Sequence, residues 1–334
     1  MRSVSRSRSL GWSSDSDDAD EAITLEPERP VTFPKKMPIS FAFIKLGILN
    51  MVMPAIEARN KHGAELFAGV KSIYHMMNGM NMLFQSFEYD DAHNGSQDLC
   101  FWLGFLNATR VILETMPHGF VWAAVVCSTW VFVSKSSTGR HINNMGFNIP
   151  CCQYANNMVQ RVCMLLELCT ALSIYWIVEQ PKSSTMHLHD RWEYMHDLHE
   201  QCGTPIHTSM TSMGAFDGES KKDLKLKGTA PFLNQLSAQA PRDAKYPERD
   251  IVRRSETADG RIQVTGGSDL KSTQAYTREF GLATAHAYYK FCKKYGTPQP
   301  QPPVKLHEFE AQMDTAAADE AVLLRDPERP QSAK

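Results

Sequence analysis

Phe120-Val121-Trp122-Ala123-Ala124-Val125-Val126 is an unbroken apolar run, and Cys127-Ser128-Thr129-Trp130 follows it at once. Such a run predicts a strand covered on both faces, as in a parallel sheet. A second run, Ile174-Tyr175-Trp176-Ile177-Val178, leads into Glu179-Gln180-Pro181. Upstream, residues 63–67 predict a short strand with Gly69 starting the turn behind it, and 83–87 predict another that ends at Glu88. Helical recurrence fills the gaps at 70–80, at 98–116 (closed by Pro117 and Gly119) and at 155–172. The alternation of strand and helix predicts an α/β fold: a Rossmann-like, mostly parallel sheet with helices on both faces.

Outward from this core the pattern weakens. Residues 1–37, Arg/Ser-rich and then acidic and Pro-rich, read as a disordered tail. Residues 38–295 read as the α/β domain, less strongly patterned from about 204. Within it, 39–59 predicts a helix broken near Pro54, 187–201 and 273–295 predict helices, 206–215 and 224–229 predict short β segments, and 238–250 predicts a loop. Residues 296–334 are Pro-, Ala- and acid-rich and read as a loose tail.

The 334 residues suffice for one large α/β domain or two small ones, and 43% of them are hydrophobic, enough for a sizeable core. A net charge of -2 gives no sign of a nucleic-acid binder by bulk charge, but a local basic cleft does not show in a sum. The eight cysteines lack the density of a disulfide scaffold, and residues 1–10 have no apolar segment, which predicts an intracellular protein with reduced thiols. The apolar stretch 120–133 is short of the roughly 20 residues a membrane span needs, and 163–178 is interrupted by Glu167, so no membrane association is expected.

In an open α/β sheet, ligands bind where strands end, at a topological switch point. Gly69 permits a tight turn and close approach of a ligand, and Glu88 is an acid placed to accept hydrogen bonds from a ribose. An ordinary turn and a solvated acid are the plain alternative. Cys127, close in sequence to Lys135 and Arg140, is expected to have a lowered pKa and to be a nucleophile. The alternative is a buried structural thiol. Glu179, ending the neighbouring strand, is expected to face the same crevice and handle a proton. His187, His189, His196 and His199 cluster without zinc-type cysteine pairs, so polar surface histidines rather than a metal site are expected. Lys221, Lys222, Lys225, Lys227, Arg253, Arg254 and Lys271 read as a mixed-charge surface, with a phosphate-binding face as the alternative.

The order Phe67-x-Gly69, Glu88, Cys127 loop, Glu179 loop resembles the DNA cytosine-C5 methyltransferases, and Asp98-Leu99 resembles that family's Asp-Ile element. The stretches 130–140, 178–184, 227–231 and 274–276 are similar to those of an expanded group of dinoflagellate proteins, so the resemblance covers roughly residues 60–292. It implies S-adenosylmethionine as cofactor, held by Phe67, Gly69, Glu88 and Asp98, the last through the adenine amine. It implies nucleic acid as partner, with Cys127 adding to C6 of a cytosine, Glu179 protonating or hydrogen-bonding N3, and C5 taking the methyl group. The target base then has to leave the duplex stack. Val126 stands where the family has Pro, Lys71 where it has a second Gly, and Glu-Gln-Pro where it has Glu-Asn-Val; its Arg-rich strand and Gly-Asn element have no match. Two function classes follow: a methyltransferase, or a catalytically degenerate fold that serves as a binding module.

Overall fold

The structure, a computed structural model, describes residues 58–88, 96–140, 144–146, 148–248, 250–256, 260 and 262–299. The expected tail at 1–37, nearly all of the expected helix at 39–59 and residues 300–334 lie outside the described residues.

A six-stranded sheet organises the chain. Its strands are β1 (Lys61–Leu66), β2 (Phe84–Phe87), β3 (Thr115–Ala123), β4 (Tyr175–Pro181), β5 (His207–Ser212) and β6 (Asp223–Gly228), in the order β2-β1-β3-β4-β6-β5. β2, β1, β3 and β4 are parallel, and β6 runs antiparallel between β4 and β5. The helices are α1 (Ser72–Gly79), α2 (Trp102–Leu113), α3 (Pro150–Ala171), α4 (Asp190–Gln201) and α5 (Arg278–Tyr295). The Rossmann-like α/β reading thus holds.

Alternation along the central strands divides the core in two. Val121, Ala123, Trp176 and Val178 pack with residues of α2, α3 and α4. Phe120, Trp122, Tyr175 and Ile177 point the other way, into a cluster with α1, α5 and the turn Leu233–Leu236. Both faces of β3 and β4 are covered, which is why these strands read as continuous apolar runs.

Several boundaries differ from the sequence reading. α2 ends at Leu113, and Pro117 and Gly119 lie inside β3 rather than closing the helix. Thr115 already pairs with Lys61, and the register then shifts before Gly63 meets Phe120. A register shift is where a strand tolerates proline and a positive φ, here Pro117 and His118 at φ 63°. β4 continues through Glu179 to Pro181, because β6 pairs with all three of Glu179, Gln180 and Pro181. Glu179 is therefore inside a strand, not at its end. The ribbon of β7 (Val252–Glu256) and β8 (Ile262–Gly266) has no counterpart in the sequence reading; β7 is exposed along its whole length and lacks the apolar alternation that would reveal it.

All eight cysteines are free. No helix among the described residues is long and apolar enough to cross a membrane.

Candidate functional site

The chain leaves β1 for β2 on one side and returns to β3 on the other, so the switch point lies beyond the paired ends Leu66 and Ala123. Ligands gather in such a crevice. The turn after β1 is backbone-strained: Phe67, Gly69 and Lys71 have φ of 58°, 51° and 59°. The left-handed region costs a non-glycine residue about 1–2 kcal/mol, and strain of this kind clusters at functional sites. A Cβ on Gly69 would meet nothing within 4 Å, so the glycine serves conformation and leaves open space above the turn.

Glu88 closes over this turn. Its Oε2 accepts the Gly69 N–H at 2.6 Å, while its own N–H donates to Gln97 Oε1 at 2.7 Å. Phe67, Gly69 and Glu88 are thus brought together. Beneath them lies Glu65, fully buried, which sequence reasoning passed over. Its Oε2 accepts the Tyr74 N–H at 2.7 Å and so caps α1, where Lys71 offers no side-chain cap. Burial pushes the Glu65 carboxyl up to about 8, against the Tyr74 and Ile73 N–H groups that favour its charge, and its Oε1 has no hydrogen-bond partner.

Asp98 is engaged elsewhere. Its Oδ1 accepts the Cys100 N–H at 2.8 Å, a turn that opens α2, and its carboxylate is also hydrogen-bonded to the Tyr154 hydroxyl. A Cβ on Gly104 would lie 2.0 Å from the Asp98 carbonyl oxygen, so only glycine lets α2 pack on this turn.

Cys127 follows β3, and Glu179 lies in the neighbouring strand β4. Gln180 Nε2 donates to the Val125 carbonyl at 2.5 Å, and the Thr185 N–H donates to the Trp130 carbonyl at 2.9 Å, so the segment after β3 is tied to β4 and to the turn behind it on either side of Cys127. Burial and the Glu179 charge push the Cys127 thiol up to about 11, with Lys222 opposing. The expected lowering by Lys135 and Arg140 is overturned, since desolvation of the thiolate outweighs the nearby cation. The Arg140 guanidinium instead stacks on Trp130, 3.5 Å from the ring centre, and donates to the Cys152 carbonyl at 2.9 Å.

Glu179 has its pKa raised by burial, with Lys222 and Tyr276 pulling the other way. The Tyr276 hydroxyl donates to Glu179 Oε2 at 2.8 Å and accepts the Trp122 indole N–H at 3.2 Å. Ser72 Oγ fixes the Tyr276 carbonyl at 2.9 Å, and Lys222 Nζ stands 6.0 Å from the Tyr276 ring centre. Glu179 Oε1 is buried without a partner. When Glu179 is protonated, Tyr276 holds Oε2, so the acid proton belongs on Oε1, where no protein acceptor takes it. Trp122 was missed as a site residue, Lys222 was read only as part of a mixed-charge or phosphate-binding surface, and Tyr276 entered only with the 274–276 stretch of the resemblance. Their only sequence signals are an indole in an apolar strand, a lysine pair, and a tyrosine just before the Thr277 cap of α5.

Of the histidines, His199 is buried, bonded to Thr170 Oγ1 at 2.7 Å and to the Met195 carbonyl at 2.8 Å, and burial pulls its pKa down to about 4. His189 is buried edge-on to Trp130 and caps α4 by accepting the Arg191 N–H at 3.1 Å. These two are core groups rather than the polar surface histidines expected. His196, Asp197 and Glu200 place ligand atoms within 4.8 Å of one another on the outer side of α4.

Comparison with protein-family models and with curated proteins gives no match for this chain.

Proposed function

We propose that the chain is an S-adenosylmethionine-dependent, methyltransferase-like protein acting inside the cell, with Cys127 and Glu179 working on a cytosine of nucleic acid. The observation that carries this reading is the buried Glu179 acid, its Oε1 unpartnered, in the strand beside the one that leads to Cys127. In that arrangement Cys127 Sγ, its proton lost to solvent, would add to C6 while the Glu179 Oε1–H donates to N3. C5 would take the methyl group as the cofactor's sulfur leaves as a neutral thioether, and loss of the C5 proton to solvent would break the Cys127–C6 bond and return the N3 proton to Glu179. Lys222 favours the charged form of both groups. Tyr276 orients the carboxyl and Trp122 orients Tyr276.

The turn fits a nucleoside bearing a carboxylate tail. There is open space above Gly69, a carboxylate at Glu88 for hydroxyls, an orphaned buried oxygen on Glu65, and the Lys71 charge. S-adenosylmethionine, when bound, supplies the electrophilic methyl group. Asp98 contributes to α2 and Tyr154 rather than to this donor set.

A second reading, a binding module without chemistry, is favoured by the Cys127 pKa of about 11, which leaves little thiolate at neutral pH. Calorimetry with S-adenosylmethionine tests the cofactor site, and absence of heat at millimolar cofactor would remove the methyltransferase reading. A 5-fluorocytosine oligonucleotide tests the chemistry. A covalent adduct abolished by Cys127→Ser supports catalysis, and no adduct leaves the binding module.

A further inference from the structure

A cleft of about 540 Å³ opens at the edge of the sheet where β4 and β5 end and β6 begins. That volume lies within the range of small-ligand pockets, about 300–1,000 Å³. Its walls are the residue after β4, the end of β5, the start of β6 and the segment 238–244. They are held rigidly: the Lys182 N–H donates to the Asp223 carbonyl and the Ser212 N–H to the Ala238 carbonyl, each at 2.9 Å.

The lining has a chemical bias. Lys182, Lys221 and Arg242 bring three cations against the single carboxylate of Asp223, which lies 3.6 Å from Lys221 Nζ. This local excess of positive charge sits in a chain whose net charge is -2. Thr211 is 2% exposed, and its hydroxyl has no hydrogen-bond partner. The Tyr246 hydroxyl is also unpartnered, and its ring end lies where a Cβ on Gly214 would be, 2.0 Å away. Exposed cations beside alanine and proline suit phosphate oxygens with apolar ring faces next to them.

The cleft and the site are joined through the chain, by β4 and by the segment that enters β6. Lys221 lines it, while the adjacent Lys222 reaches Tyr276 and acts on both Cys127 and Glu179. Lys182 lies three residues beyond Glu179, roughly 10 Å along the chain at about 3.3 Å per residue.

We propose that this cleft holds the sugar–phosphate backbone of a single nucleic-acid strand, at the nucleotides flanking the base presented to Cys127 and Glu179. The proposal rests on the reading that the site acts on nucleic acid. One strand is the occupant because the cleft has the volume of a small-ligand pocket and the target base has to leave its stack in any case.

Fluorescence anisotropy with the full chain and labelled single-stranded DNA and RNA oligonucleotides tests it across a salt series. The Lys182→Ala/Arg242→Ala variant replaces exposed residues and is expected to keep the wild-type melting temperature. Its binding is expected to weaken tenfold or more, and its slope of log affinity against log salt to flatten by roughly 1.4, at about 0.7 per phosphate contact on a single strand. Wild-type affinity and slope in the variant would overturn the proposal, as would failure of the wild type to bind either strand. Oligonucleotide binding lost in the variant, without S-adenosylmethionine heat or a 5-fluorocytosine adduct, leaves the cleft standing and removes methyl transfer. An adduct formed with unchanged oligonucleotide affinity in the variant removes the cleft and leaves methyl transfer.

Discussion

The Tyr276 hydroxyl donates to Glu179 Oε2 at 2.8 Å, joining residues 97 positions apart in the chain. The same hydroxyl accepts the Trp122 N–H, so one oxygen orders β3, β4 and the approach to α5. The contact also decides which carboxyl oxygen is left for a ligand.

Tyr276→Phe keeps the ring and removes that oxygen. Trp122 Nε1 and Glu179 Oε2 then lose buried partners, at a cost of about 1–3 kcal/mol. The Glu179 pKa moves further up, because the Tyr276 bond pulls it down. Denaturant unfolding and the infrared band of the protonated carboxyl check both effects; wild-type stability in the variant would show that the network carries no weight.

Glu65 makes folding depend on pH. Its pKa is raised on folding from 4.5 to about 8. The stability this group supplies is fully present below pH 4.5 and is lost as pH rises through about 8, because the unfolded chain releases the proton first. Glu65→Gln holds an amide where the native carboxyl is protonated, so its melting temperature should fall less than that of the wild type between pH 5 and pH 8, to be read by calorimetry across that interval. Parallel curves would contradict the assignment.

Cys127, with its thiol pushed up to about 11, should react slowly with iodoacetamide at pH 7 and much faster as pH approaches that value. Glu179→Gln removes the charge that raises the thiol and should quicken alkylation at alkaline pH, where Glu179 has lost its proton. Lys222→Ala removes the opposing cation and should slow it. Site-resolved mass spectrometry of Cys127 distinguishes these outcomes, and equal rates in all three proteins would deny the coupling.

Arg191 donates to Glu167 Oε2 at 2.6 Å, and Glu167 is fully buried. Arg191→Met should therefore cost about 3–5 kcal/mol by leaving a buried charge unpaired, whereas Arg191→Met/Glu167→Met should recover most of the loss. Urea unfolding of the three proteins reads the difference.

The apolar runs at 120–126 and 174–178 were legible as buried central strands because both of their faces are covered by helices, and such strands need no polar residues. Gly69 and Glu88 were legible as neighbours because a glycine turn and a strand-end acid are local features, and the structure joins them at 2.6 Å. The placing of Cys127 with Glu179 was an inference from strand order, and the structure bears out the strand adjacency on which it rested.

The sequence by itself determined the alternation of strands and helices, since hydrophobic period acts over a few residues at a time. Tertiary structure alone decided the character of the site. Glu179 is enclosed because β6, more than forty residues later, pairs across it; Tyr276 arrives from the far end of the chain; and Lys222, rather than Lys135 or Arg140, supplies the cation. These contacts bridge residues far apart in the chain, and the desolvation that raises both pKa values exists only once those distant segments have closed over the groups.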